Sequence, residues 1–181
     1  IIKCGKSSTK IKGSSAEEFP VIPTIEGETG FLVEAELLKK GLSQVTPAIA
    51  KNDIRPELSG VYFGFNQGAE KSLVMAATDS YRLAEKHLKL TQGAAQFRII
   101  VPNHTAHEIG RILAFGETGE EKGARILIGE NQIALHFGNV QLISRLIDGQ
   151  YPDYTQIIPK EFKTTALFST NHMSKEIKAA S

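Results

Sequence analysis

Ile99-Ile100-Val101-Pro102-Asn103-His104-Thr105-Ala106-His107-Glu108-Ile109-Gly110-Arg111-Ile112-Leu113-Ala114-Phe115 passes from a strand-like run into a helical one without a break. The β-branched run that closes on Pro102 has the character of a strand, Phe97–Val101. From Asn103 to Phe115 the period changes. Ile109, Ile112 and Leu113 form a helical stripe, and Gly116 is placed to end it. Outward from this junction the two sides look alike. On the N-terminal side a helix is expected from about Glu34 to about Ala50, because Leu38, Leu42, Val45 and Ile49 recur on one face. Pro47 should kink or loosen its last turn. Strands follow at Gly60–Phe65, Leu73–Thr78 and Tyr81–Leu90, with turns opening at Asn66-Gln67-Gly68 and Gln92-Gly93. On the C-terminal side a polar loop, Glu117–Gly123, leads to strands at Arg125–Ile128, Gln132–Phe137 and Gln141–Ile147. Their turns are Gly129-Glu130-Asn131 and Gly138-Asn139. Helix, three strands, helix, three strands is an αβββαβββ pseudo-repeat. Antiparallel strands with helices on one face predict an α+β layered fold.

A longer echo frames this unit. Gly5, polar alternation through Lys12 and then Phe19-Pro20-Val21-Ile22-Pro23 are matched by Gly138, alternation through Ser144 and Tyr151-Pro152-Asp153-Tyr154. A strand-like run and a helix follow each, Phe31–Ala50 and Ala166–Ser181. The offset, about 130 residues, is the size of a domain. Residues 1–25 are therefore expected to be the tail of one domain, 26–157 a complete domain and 158–181 the opening of a third. The absence of an initiator Met and the unfinished look of Asn171–Ser181 fit a window cut from a longer chain. A chance likeness of two hairpins is the alternative.

Composition bounds the function. The 181 residues carry 21 Lys and Arg against 20 Asp and Glu, so the chain is nearly neutral at +1. Broad coating of DNA by basic surface is excluded, and any basic residues that meet nucleic acid must be sorted onto one face. The single cysteine excludes an internal disulfide and a cysteine metal cluster, and suits a reducing, intracellular setting. No apolar run approaches the roughly 20 residues of a spanning helix, and the first residues do not read as a signal peptide.

Four stretches, in this order, carry a family resemblance: Asn52-Asp53-Ile54-Arg55 with Leu58-Ser59-Gly60-Val61-Tyr62-Phe63; Ala77-Thr78-Asp79-Ser80-Tyr81-Arg82-Leu83-Ala84; Ile99-Ile100-Val101-Pro102; and Ser144-Arg145-Leu146-Ile147-Asp148-Gly149-Gln150-Tyr151-Pro152-Asp153-Tyr154. Together they resemble the bacterial DNA polymerase III beta subunit, the replication sliding clamp. The resemblance covers nearly the whole chain. It implies the sliding-clamp domain fold and a non-catalytic processivity factor. It also implies cytoplasmic, nucleoid-associated work, no cofactor and no membrane. The implied partners are duplex DNA, gripped without sequence readout, and polymerase subunits, clamp loader and repair factors that dock short linear peptides. The full-length protein is implied to be a ring-shaped homodimer. This chain, holding little of the first and third domains, is expected to be monomeric and unable to encircle DNA.

The resemblance also assigns residues. The docking pocket maps onto Leu58, Thr78, Ser80, Tyr81, Arg82, Leu83, Pro152 and Ile157, with Arg55 and Gln156 near the rim. Leu58, Leu83, Pro152 and Ile157 would form an apolar cup for leucine or aromatic anchors, and Arg82 with the Thr78 hydroxyl would orient the peptide. Relatives often carry glycine at position 80 and histidine at 81, so Ser80 and Tyr81 are departures. DNA contacts are expected at Lys40 and Lys51, which lie eleven residues, about three turns, apart on the first helix. Others are expected at Asn52, and at His104, His107 and Arg111 on the second helix. Pro56 and Glu57 fall where some clamps carry DNA-touching aromatics, and Glu57 would repel phosphate.

Other readings of the same residues stay open. Lys40 and Lys51 could be an ordinary solvated helix face. Leu58, Leu83 and Ile157 could be core, and Arg82 could simply pair with Asp79 or Asp153. His104-x-x-His107 could be half of a metal site, although zinc needs three or four ligands. A small hydrolase or transferase would need Asp79, a histidine and a serine to converge. The chain has neither GxxxxGK[ST] nor Gly-x-Ser-x-Gly. A peptide-binding module with no DNA role is the remaining alternative.

Overall fold

A computed structural model describes residues 1–19, 25, 29–51, 54–68, 71–115 and 122–180. The chain forms two compact units, Ile1–Gly149 and Gln150–Ser181. The first opens with a hairpin, β1 (Ile2–Cys4) and β2 (Ser7–Thr9), whose residues are all exposed. Its main body runs β3 (Gly30–Glu34), α1 (Ala35–Val45), β4 (Gly60–Phe65), β5 (Ser72–Thr78) and β6 (Leu83–Gln92). Then come β7 (Phe97–Pro102), α2 (Asn103–Phe115), β8 (Gly123–Ile128), β9 (Gln132–Phe137) and β10 (Val140–Arg145).

A strand precedes each helix, so the αβββαβββ reading becomes βαβββ twice. The eight strands form one antiparallel sheet in the order β10-β9-β8-β3-β6-β5-β4-β7. Exchanging the halves turns β3·β8 pairing into β7·β4 pairing, and both are present. It also turns the short β3·β6 seam, Leu32↔Gln92 and Val33↔Leu90, into a β7·β10 seam. That seam exists as one bond from the Ile147 amide, just past β10, to the Ile100 carbonyl at 2.9 Å. The sheet is thus a nearly closed ring with a pseudo-two-fold axis.

Both helices cover the inner face of this sheet. Leu38, Leu42 and Val45 of α1 and Ala106, Ile109 and Leu113 of α2 join one core with Val61, Phe63, Phe65, Leu73, Met75, Ile126 and Leu135. Alternation along each strand sends these residues inward and their neighbours out. Phe31 and Phe65 stack with centroids 4.2 Å apart, and Phe97 meets Phe31 edge-on at 6.3 Å. Each buried aromatic contributes roughly 1.5–3 kcal/mol relative to exposure. Two glycines permit this packing. At Gly41 of α1 an added Cβ would lie 2.3 Å from Met75 Cε, so the helix rests directly on the sheet. Gly93 has φ +107° and leaves room for the Phe31 ring, 2.3 Å from where its Cβ would be.

Several sequence boundaries shift. The first helix stops at Val45, and Thr46–Ala48 is a 3-10 turn. Pro47 ends the helix rather than kinking it, since it lacks an N–H and its ring would crowd the carbonyl four residues back. Strand β6 starts at Leu83, not Tyr81, because Asp79 holds residues 79–82 in a turn. The expected helical stop at Gly116 lies outside the described residues. In the second unit, Asp153 caps a 3-10 turn, Tyr154–Ile157, and α3 (Thr170–Ala180) takes up the expected helix, while residues 166–169 form no strand before it. Every residue from 155 to 180 is exposed.

Candidate functional site

The β5–β6 turn is closely bonded to itself. The Thr78 hydroxyl donates to the Arg82 carbonyl at 2.8 Å and accepts the Ser80 amide at 3.1 Å. Asp79 Oδ1 accepts the Tyr81 and Arg82 amides at 3.1 and 3.0 Å, and Oδ2 accepts Arg82 Nε at 2.9 Å. The Arg82 amide, then that of Tyr81 and the guanidinium hold the Asp79 carboxyl below the usual carboxylate range. This clamp drives Ser80 to φ +76°, a region that favours glycine. Tyr81 is left 99% exposed at the tip.

These bonds revise the expected roles. Arg82 pairs with Asp79. The Thr78 hydroxyl proton is committed to the turn and Thr78 itself is buried, so it shapes the hairpin instead of facing a ligand. Arg82 keeps its Nη donors on the exposed side. Leu83 is half-buried where β6 begins. Leu58 is buried at the end of the 3-10 turn Pro56–Leu58. β4 and β5 are antiparallel neighbours, so the start of β4 that follows Leu58 lies beside the Thr78 end of β5. Arg55 is exposed and bonds Glu57 at 3.0 Å. The Glu57 carboxyl is lowered by its own backbone N–H first and by Arg55 next. In the second unit Pro152 is half-buried and Ile157 is 68% exposed. Gln156 donates to Asp153 at 2.7 Å. The structure therefore gathers Leu58 and Thr78–Leu83 at one end of the sheet, and Pro152, Gln156 and Ile157 within the second unit.

The outward helix surface is only weakly basic. Lys40, His104, His107 and Arg111 are exposed. The two helices hold three cations and two carboxylates, a net of +1. Lys39 pairs with Glu36 at 2.6 Å and Arg111 with Glu108 at 2.7 Å. Lys51 does not share the face of Lys40 through helical geometry, because Pro47 ends α1 before it. Asn52 lies outside the described residues. Among the described residues no group of three metal-ligating side chains accompanies His104 and His107. Asp79 sits in the β5–β6 turn with its carboxylate already engaged, an arrangement that gives the hydrolase reading no free base there. Phe115, 78% exposed, and Ile54, 85% exposed, are among the apolar surface residues that escaped the sequence reading. For Phe115 a signal was available, since it continues the spacing of His104, His107 and Arg111.

The nearly closed sheet with paired helices on one face defines a clamp-type α+β domain, and comparison with known proteins agrees. Residues 32–153 match the DNA polymerase III beta subunit, central domain, and the chain belongs to this family. The beta sliding clamp of Bacillus subtilis is 32% identical over 182 residues, covering 100% of this chain and 46% of that protein. The DNA polymerase III beta chain of Streptococcus pneumoniae superposes with a TM-score of 0.85 at 32% identity, over 97% of this chain and 45% of that one. A sliding clamp from Pseudomonas aeruginosa, solved bound to griselimycin, gives 0.72 at 27% identity over 82% of this chain and 38% of that one. The chain thus spans about half the length of the relatives it matches. Among the described residues no helix is long and apolar enough to cross a membrane.

Proposed function

We propose that this chain is the middle of a DNA sliding clamp, a non-catalytic subunit that keeps the replicative polymerase on duplex DNA and receives partners through short linear peptides. In this reading residues 1–25 end a first clamp domain, 26–157 are the central domain and 158–181 begin a third. The whole protein is a ring-shaped homodimer acting in the cytoplasm at the nucleoid, and this piece alone is monomeric. Family membership supports the reading, as do the names of the relatives. The single observation that carries it is the βαβββ two-fold with both helices on one sheet face. Such a unit presents helices on one side and strands on the other, which suits a ring whose inner wall meets phosphates without base readout.

We assign peptide docking to Leu58, Ser80, Tyr81, Arg82 and Leu83 of the first unit, on the turn that Thr78 shapes and with Arg55 at the rim, and separately to Pro152, Gln156 and Ile157 of the second. The DNA surface is Lys40, Lys51, Asn52, His104, His107 and Arg111. An NMR titration with a Gln-Leu-x-Leu-Phe-type peptide tests the docking assignment. Shifts should cluster at Leu58, Thr78–Leu83 and Pro152–Ile157 and vanish in Leu83→Ala. Shifts confined to other residues, or unchanged in the variant, would remove the assignment.

A further inference from the structure

Helix α2 places His104, His107, Arg111 and Phe115 at i, i+3, i+7 and i+11, which is one face. All four are exposed, and the Phe115 ring is 78% so. We infer that this face is a stacking platform for unpaired nucleotides, with Phe115 meeting a base and His104, His107 and Arg111 flanking the strand. The inference rests on the DNA-clamp reading and adds the kind of DNA structure that this helix engages.

Three observations favour nucleic acid as the occupant. The face that leads to the ring is polar: His104, His107 and Arg111 lie along it, all exposed, and the only carboxylate of α2, Glu108, is bonded to Arg111. A protein-docking patch would instead gather several apolar anchors. Phosphate attraction by the helix pair is weak, since its net charge is +1, so a stacking contact would supply a large share of the binding. An aromatic face beside donors that track a backbone is the combination that single-strand binders use. Duplex DNA hides its base faces and would gain nothing from the ring.

The chain contains no tryptophan, so Phe115→Trp introduces a lone indole reporter. Oligothymidylate at low salt should quench that indole, and a duplex of equal length should not. By fluorescence anisotropy with labelled DNA, Phe115→Ala and Phe115→Leu should each bind oligothymidylate about tenfold more weakly and the duplex unchanged. Lys40→Gln should weaken both. Equal quenching by the duplex, or a Leu variant that binds single strands like the wild type, would overturn the platform. If salt-dependent duplex binding persists while both Phe115 variants are silent, the platform falls and the clamp reading stands. If neither DNA binds the wild type at low salt, the DNA contact assigned to these helices falls and the platform with it.

Discussion

Ser80 holds φ +76° because its neighbours are fixed on both sides, by Thr78 below it and by the Asp79 carboxylate above. An L-residue there costs about 1–2 kcal/mol. Ser80→Gly should therefore stabilise the chain by about 1 kcal/mol in urea unfolding, less the entropy that glycine adds to the unfolded chain. A decrease would mean that the serine side chain is making a bond worth more than the strain. Asp79 gives the same turn a pH dependence. Its folded carboxyl titrates below the ordinary value of 3.8, so the clamp is fully present above that value and is lost as pH falls through the lower, folded one. Amide shifts of Tyr81 and Arg82 followed in an acid titration should move together with a midpoint below 3.8. A midpoint at or above it would remove the charged clamp. The motif around Asp79 was visible in the sequence, but the start of β6 was not. Tyr81 has strand propensity, and the aspartate's bonds to two following amides override it. For the same reason the sequence assigned Thr78 a ligand-facing hydroxyl that the folded turn consumes.

Elements were legible where period and length agreed. The stripes of α1 and α2 placed Leu38, Leu42, Val45, Ile109 and Leu113 in the core, with Ile112 partly buried against it. The strand leading into α1 was harder to bound, because β3 has only five residues and its pairing with β6 shifts register between Leu32 and Val33. Pro47 shows how one residue reassigns a site. By ending α1 it separates Lys51 from Lys40, which the expected helix had set about three turns apart on one element. A long-range tie was beyond sequence reading altogether. Asn66, buried with φ +53°, donates to the Gly93 and Ala95 carbonyls at 3.3 and 2.8 Å and accepts the Ser72 amide at 3.0 Å. It pins the β4–β5 turn to the segment between β6 and β7. Asn66→Ala should destabilise by about 1–2 kcal/mol, since it removes three bonds whose partners are exposed or only half-buried. Asn66→Gly restores the backbone freedom without the bonds, so a similar loss in both variants locates the effect in the amide. A loss below about 0.5 kcal/mol in both would mean water replaces the side chain freely.

At the scale of the molecule, the two units differ in what holds them. The first has a continuous core that spans both halves of its pseudo-two-fold. The second contributes no buried side chain after Tyr154, and α3 exposes Met173 and Ile177 at 36% and 60%. An eleven-residue helix without burial is marginal in water, because nucleation offsets its few hydrogen bonds. Stability of the chain should then reside almost wholly in the residues before 155. A chain ended after Ile158 should unfold in urea with the same midpoint and the same m-value, within about 0.5 kcal/mol of the longer one. The far-ultraviolet signal should fall by no more than one short helix. A clear drop in midpoint would show that residues 159 to 181 bury surface in solution.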